Sequence, residues 1–328
     1  MTRIRAVRLR VYLMLALTVM LASCGGGAPS LYVLEKPKNV DMIVKMNHGD
    51  FWKTVKMGAE VAAKEYNVNL TFKAPQNESD IDEQVRLMEE SIQSNADAII
   101  LSASDYMGLA QVTDRAAYYK IPVISMDSEV ASARIKLFVG TNNYEAGQKA
   151  AKRLIDLIGP ESRIGVMNFV KGAKNADERE EGFMDYVARY PGVEVVDIEY
   201  CESDEQLARQ LTRNMMTKHP DINGIVALNE VASIGTAEEI QASGYGGKVK
   251  IITFDSTAKV MEMLQEGIVQ ATVVQNPFNN GYLAVQYAVQ VMEGIELDDE
   301  RIDTESRLID LGNMLQSDNQ KLLFPFVK

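Results

Sequence analysis

Short runs of apolar, often β-branched residues alternate along this chain with longer segments whose apolar positions recur every three to four residues. The run 41–46 (Asp-Met-Ile-Val-Lys-Met) predicts a strand. Positions 51, 55, 58, 59, 62 and 66 are apolar or small, which predicts a helix over 51–66 with one face turned to a core. The alternation continues as strand 69–74, helix 80–94, strand 98–102, helix 107–119 and strand 122–127. A run as uniformly apolar as Ala98-Ile99-Ile100-Leu101 suits a sheet covered on both faces. Strands that alternate with helices imply parallel pairing through right-handed crossovers.

The same grammar restarts after Phe138-Val139-Gly140-Thr141. Strands are expected at 163–169, 193–200, 224–228, 249–254 and 269–274, and helices near 144–158, 177–189, 204–217, 231–243, 257–266 and 279–293. The fold class is therefore α/β, with two similar lobes, each a parallel sheet flanked by helices. Roughly 300 residues also exceed what one core usually serves. The last stretch, 302–326, lacks the alternation and is expected to cross between the lobes.

The N-terminus changes the compartment. Arg3, Arg5, Arg8 and Arg10 precede an apolar stretch from Val11 to Ala22 that is too short for a stable bilayer span. A charged start, a short apolar middle and small residues before a cut site make a secretory signal. Leu21-Ala22-Ser23-Cys24 resembles the lipobox of bacterial lipoproteins, which implies a signal peptide over 1–23 and diacylation of Cys24. Gly25-Gly26-Gly27-Ala28-Pro29-Ser30 then reads as part of a flexible tether over 24–38. Loss of the leader removes four arginines and no acid, so the formal charge goes from −12 to −16. So acidic a chain is a poor nucleic-acid partner, because that affinity comes largely from Lys and Arg on phosphates. Beyond Cys24 the only cysteine is Cys201, and with two His in the chain no Cys/His metal site is expected.

In parallel α/β sheets ligands sit where strands end and loops begin. Those places here carry His48-Gly49-Asp50-Phe51-Trp52, Ser102-Ala103-Ser104-Asp105, Asp127-Ser128-Glu129, the stretch 168–179, Asn229-Glu230, Asp255-Ser256 and Gln275-Asn276-Pro277. Carboxylates, amides and a guanidinium suit hydroxyl groups, and flat rings suit the apolar face of a sugar. A buried polar group left unpaired costs roughly 1–3 kcal/mol, so such a site would reject ligands lacking the matching hydroxyl.

From about Asp41 to Lys328 the chain resembles the ribose-type periplasmic binding proteins, a family whose core is shared with the lactose-repressor class of regulators. The resemblance rests on Gly49-Asp50-Phe51-Trp52, Pro122-Val123-Ile124-Ser125-Met126-Asp127, Glu178-Arg179-Glu180-Glu181-Gly182-Phe183 and His219-Pro220-Asp221. It continues in Ala227-Leu228-Asn229-Glu230, Phe254-Asp255 and Ala271-Thr272-Val273-Val274-Gln275-Asn276-Pro277. It implies Phe51 and Trp52 against a sugar ring, with Asp127, Arg179, Asn229, Asp255 and Gln275 holding hydroxyls. Two positions depart from the ribose binders: Ser128 stands where they have Arg, and Ser203 falls at their second-lobe aromatic. Both changes suggest a larger or differently substituted ligand. Lys45, His48 and Asp50 are candidate replacement contacts.

The resemblance also implies a first lobe of 38–141 plus 276–304 and a second of 142–275 plus 305–328. The hinge crossings would lie near Gly140-Thr141-Asn142, Gln275-Asn276-Pro277 and 303–306. The expected protein is a monomeric lipoprotein at the outer face of the cell membrane. It would need no cofactor and would deliver a sugar or polyol to the permease of an ABC importer. The alternative is presentation of the ligand to a membrane histidine kinase or chemoreceptor. Plainer roles compete at single residues: Trp52 as core, Arg179 as part of a solvated ion-pair face, Asn229 and Asp255 as helix caps, and Cys201 as a small buried hydrophobe. Catalysis has little support, since the chain has no Gly-x-Ser-x-Gly, no Gly-x-x-x-x-Gly-Lys and no His-Glu-x-x-His.

Overall fold

The computed structural model describes residues 36–323. The expected leader, the lipobox with Cys24 and most of the expected tether lie outside the described residues. No helix among the described residues is long and apolar enough to cross a membrane.

Two six-stranded sheets organise the described chain. The first has the order β2-β1-β3-β4-β5-β11, built from β1 (Lys38–Ile43), β2 (Val68–Lys73), β3 (Ala98–Leu101), β4 (Val123–Met126), β5 (Leu137–Gly140) and β11 (Arg301–Asp303). All its pairings are parallel. The second repeats that order as β7-β6-β8-β9-β10-β12, with β6 (Ser162–Asn168), β7 (Val193–Tyr200), β8 (Gly224–Ala227), β9 (Lys250–Phe254), β10 (Ala271–Val274) and β12 (Arg307–Ile309). Only its edge strand β12 runs antiparallel, against β10. Four of the inner strands, β3, β4, β8 and β10, are buried along their whole length.

Helices flank both sheets. In chain order they are α1 (Asp50–Glu65), α2 (Ile81–Gln93), α3 (Ala110–Tyr118), α4 (Asn143–Ile158), α5 (Lys174–Val187) and α6 (Glu205–Lys218). They continue with α7 (Glu230–Ala242), α8 (Ala258–Gln265), α9 (Pro277–Met292) and α10 (Ser317–Leu323). Asp80, Asn142, Asp204, Asn229, Thr257 and Asn276 each accept a hydrogen bond from a backbone N–H three residues on, which fixes where six of these helices begin. Asn229 therefore is a cap, whereas α8 is capped by Thr257 and leaves the Asp255 side chain to other partners. The α5 helix begins three residues before its expected start, which puts Asn175 on its first turn.

Glycines let two helix pairs meet backbone to backbone. A Cβ on Gly58 would lie 2.0 Å from the Phe278 carbonyl oxygen, and one on Gly281 2.0 Å from that of Val55, which locks α1 to α9. The second lobe repeats the device. A Cβ on Gly147 would lie 2.1 Å from the Arg179 carbonyl oxygen, and one on Gly182 2.0 Å from that of Tyr144. The α4–α5 contact thus fixes the helix that carries Arg179. Around it the second lobe packs one continuous core that includes Phe183 and Phe254, both fully buried. Each such ring contributes roughly 1.5–3 kcal/mol by leaving water.

The chain passes between the sheets three times: between β5 and α4, between β10 and α9, and between β11 and β12. The closing stretch 302–326, expected to cross between the lobes, holds most of β11 together with β12 and α10. Strands of three residues are too short to display a two-residue period, so composition could not reveal them.

Candidate functional site

The sheets turn their C-terminal strand ends toward a shared cavity of about 30 Å³. Its walls include Lys45, Phe51, Trp52, Asp127, Arg179, Asn229, Asp255 and Gln275, all candidates from the sequence, drawn from positions 45 to 275. Met46, Glu78, Phe169, Asn175 and Glu230 complete the lining.

Asp127 and Asp255 occupy matching places. Each follows an inner strand, each has a left-handed backbone (φ 63° and 69°), and each donates its N–H to the next strand, to Val139 O and Val273 O at 2.9 Å. That conformation turns both carboxylates into the cavity. Asp127 Oδ2 accepts from Ser102 Oγ at 3.0 Å and from Asn175 Nδ2 at 3.2 Å, while Asp255 Oδ1 accepts from Gln275 Nε2 at 2.9 Å. Burial raises both carboxyl pKa values above the ordinary range, and the nearby cations only partly offset it, Lys45 and Arg179 for Asp127 and Arg179 for Asp255.

Arg179 is 1% exposed. Its guanidinium donates to Asn143 Oδ1 at 2.9 Å, Leu228 O at 2.7 Å and Gln275 Oε1 at 2.8 Å. It also lies 4.7 Å from the Phe254 ring centre and 5.6 Å from that of Phe169. Burial lowers its pKa from the ordinary arginine value, and Asp255 and Asp127 oppose that shift. An exposed ion-pair face on α5 is thereby excluded for this residue.

The two aromatics from α1 stand edge to face, with ring centres 5.0 Å apart at 87°. Trp52 is 5% exposed and belongs both to the first-lobe core and to the cavity wall, so its core and site readings are compatible. The second lobe does present a ring to the cavity: Phe169, directly after β6, rather than a residue at position 203.

Lys45, one of the candidate replacement contacts, is the centre of the other end. It is 1% exposed, pairs with Glu78 at 2.9 Å, donates to Asn175 Oδ1 at 2.8 Å and lies 5.4 Å from the Phe169 ring centre. Asn175 comes from the second lobe, so Lys45–Asn175–Asp127 stitches across the cleft. Ser203 Oγ donates to Glu78 Oε2 at 2.5 Å and accepts from Asn229 Nδ2 at 3.0 Å, a second stitch in which Ser203 itself lies off the cavity lining. Three other candidates stand off the lining. Ser128 is buried behind the wall, and His48 is exposed on the preceding loop. Asp50 is exposed beside a neighbouring cavity of about 300 Å³ on the hinge side, which also touches Phe51, Glu230, Asp255 and Gln275.

Four of the additional lining residues were within reach of sequence reasoning, since Phe169, Asn175 and Glu230 fall in strand-end stretches already named. Glu230 directly follows Asn229, and Glu78 lies in the loop after β2, a strand end of the kind that flagged the others. No described cluster of three or more His, Cys, Asp or Glu could hold a metal ion.

Two lobes of identical strand order, three crossings and a polar cavity with aromatic walls define a two-lobed solute-binding architecture. The chain belongs to the periplasmic binding protein domain family, whose model matches residues 40–296. It is 25% identical over 268 residues to a D-ribose/D-allose-binding protein of Pseudomonas aeruginosa, covering 79% of this chain and 83% of that one. A ribose import binding protein of Bacillus subtilis is also 25% identical, over 260 residues, with 79% and 83% covered. Among solved structures, a carbohydrate transporter solute binding protein from Agrobacterium radiobacter, in complex with D-arabinose, superposes with a TM-score of 0.86 at 28% identity, covering 88% of this chain and 99% of that one. An ABC transporter solute binding protein from Agrobacterium vitis with bound D-fucose gives a TM-score of 0.85 at 30% identity, with 87% and 99% covered. Members of this family bind solutes and are not enzymes.

Proposed function

We propose that this protein captures a small sugar or polyol between its lobes and hands it to the permease of an ABC importer. The observation that carries the reading is the convergence of Asp127, Arg179, Asn229, Asp255 and Gln275 with Phe51, Trp52 and Phe169 around one cavity. Fixed carboxylates and a guanidinium suit vicinal hydroxyls, and the rings suit the apolar face of a pyranose or furanose. Relatives named for ribose, allose and ribose import support the same solute class. A cavity of about 30 Å³ holds one or two waters at most. A sugar ring therefore enters by parting the lobes and displacing the Asn175 bridge. Ligand contacts to both lobes would then favour the closed form over the open one.

The boundaries read from the sequence complete the proposal. A signal peptide over 1–23 directs export, diacylation of Cys24 anchors the protein at the outer face of the membrane, and 24–38 tether the binding body. A single acyl chain would hold it only marginally, whereas two make the anchor stable. The body acts as a monomer with lobes 38–141 plus 276–304 and 142–275 plus 305–328, flexing at their crossings. Presentation of the ligand to a sensor kinase has less support, since relatives are named for import.

The test is a thermal-shift screen of the purified full-length chain in detergent against pentoses, hexoses, disaccharides and polyols. A ligand at 100 times its Kd adds about 2.7 kcal/mol of stability. A change in Trp52 emission should accompany any true hit, since it is the chain's one tryptophan. If every carbohydrate leaves both signals unchanged, the sugar assignment is wrong.

A further inference from the structure

We propose that Glu230 is the closing latch of this cleft: a carboxylate of the second lobe that holds the N-terminus of α1 in the first lobe only when the lobes shut. This assignment builds on the sugar-cleft reading and concerns how the cleft closes. Glu230 is the first residue of α7, 180 positions from its partners. Its Oε1 accepts from Asp50 N–H at 2.8 Å and its Oε2 from Phe51 N–H at 2.8 Å. These are N–H groups of the first turn of α1, which have no carbonyl partner within the helix. No residue of the first lobe supplies this cap: Gly49, at the N-cap position, has no side chain to offer. Its left-handed backbone (φ 94°) leaves the space that the Glu230 carboxylate fills, 3.3 Å from where a Cβ would stand. The cap of the ligand-facing helix is thus borrowed from the opposite lobe, and it is lost whenever the lobes separate.

The latch also touches the ligand site. Glu230 lines the inner cavity and the adjoining hinge-side cavity, and it positions the helix that carries Phe51 and Trp52. It is a positioning residue, acting through those rings. Closing buries its carboxyl group, and burial pushes the pKa up to about 7 against the opposing hydrogen bonds from Phe51 and Asp50. Asp255 and Asp50 add to the rise. On α1 the latch also faces Lys53, and across the cavity stand Arg179 and Asp127. Glu305, Arg307, Asp318 and Lys321 surround the hinge-side cavity.

The sign follows from linkage. In the open form Glu230 meets water and titrates near the ordinary glutamate value of about 4.3. The closed form therefore binds the proton more tightly and is favoured as pH falls from about 7 toward the open-form value. That advantage disappears as pH rises through 7. Closure, and with it ligand affinity, should strengthen about tenfold between pH 8 and pH 6.

The experiment compares wild type, Glu230→Gln and Glu230→Ala as full-length protein, with two readouts. Trp52 emission is followed from pH 8.5 to 5.5 without sugar, and Kd is measured over the same range for a sugar that shifts the wild type. The wild type should move toward the closed signal on acidification. Glu230→Gln, neutral but with an amide N–H in place of one accepting oxygen, should lose the pH dependence and sit between the open signal and the acidic wild-type signal. Glu230→Ala, with both N–H groups unpaired on closing, should stay at the open signal and bind at least tenfold more weakly. Exposed His48, two residues before Asp50, is present in all three proteins, so its contribution cancels. Identical pH profiles and affinities in all three would overturn the latch while leaving the sugar reading intact. If no sugar shifts the wild type, the sugar reading fails, and the ligand-free profiles still decide the latch.

Discussion

Gln275 Oε1 accepts a hydrogen bond from Arg179 Nη2 at 2.8 Å, and the same oxygen accepts from Thr141 Oγ1 at 3.1 Å. Thr141 and Gln275 lie on two different crossings between the sheets. One amide therefore joins the buried guanidinium to two segments that must move when the cleft opens.

Replacing Gln275 by Ala should weaken the sugar response by roughly 10–100-fold, because a hydrogen bond to a charged group is worth about 1.5–3 kcal/mol. Isothermal titration of wild type and variant checks this. Unchanged affinity would remove Gln275 from the site.

For sugar binding, Arg179→Lys should behave almost like Arg179→Ala. A lysine cannot reproduce the planar fork that serves Asn143, Leu228 and Gln275 at once. Arg179→Ala leaves Asp127 and Asp255 buried without their shared cation, at a cost of about 3–5 kcal/mol in urea unfolding at pH 7, whereas Arg179→Lys keeps the charge and should lose less stability. Acidification should narrow the gap, because protonating either carboxyl group removes a buried charge.

Lys45→Met alone should destabilise the fold by about 3–5 kcal/mol, since it strands the Glu78 carboxylate. Adding Glu78→Gln should restore most of that loss. Equilibrium unfolding of the two single variants and the double closes the cycle, and additive losses would mean the pair is not coupled.

Gly182→Ala should damage the site without touching it. The added methyl would meet the Tyr144 carbonyl and force α4 and α5 apart, moving Arg179 with them. We expect a loss of about 1–3 kcal/mol in stability and a weaker sugar response. Gly159→Ala, where a Cβ meets nothing within 4 Å, carries backbone strain at φ 87° but should leave affinity unchanged.

The Cys201 thiol is fully buried, and burial pushes its pKa up to about 12. Its thiolate fraction at pH 8 is on the order of one in ten thousand. Folded protein should resist iodoacetamide for hours, and labelling should appear only at denaturant concentrations that unfold the second lobe.

Much of this architecture is legible in the sequence because buried parallel strands are written as unbroken apolar runs. Ala98-Ile99-Ile100-Leu101 and Gly224-Ile225-Val226-Ala227 could hardly lie elsewhere. The cavity-facing polar residues are legible for a related reason, since Asp127, Asn229, Asp255 and Gln275 directly follow such runs. Lys45 and Asn175 are harder. One follows β1 by two residues and the other sits on the first turn of α5, places where polar residues are ordinary, and only the folded pairing across the cleft gives them meaning. Phe169 ends the expected run 163–169, where a terminal aromatic reads as core, whereas β6 stops one residue earlier and frees the ring for the cavity.

The matching backbones of Asp127 and Asp255 carry a last implication. A left-handed conformation costs a residue with a side chain on the order of 1 kcal/mol, and a buried carboxylate adds a desolvation penalty. Glycine at both positions would lift the backbone cost, yet it would strand the buried Arg179 guanidinium and leave Gln275 Nε2 without its acceptor, so the exchange should cost stability rather than add it. The strained turns are thus held in place by the same charges that would grip a ligand, and a screen for hardier variants should leave both positions untouched.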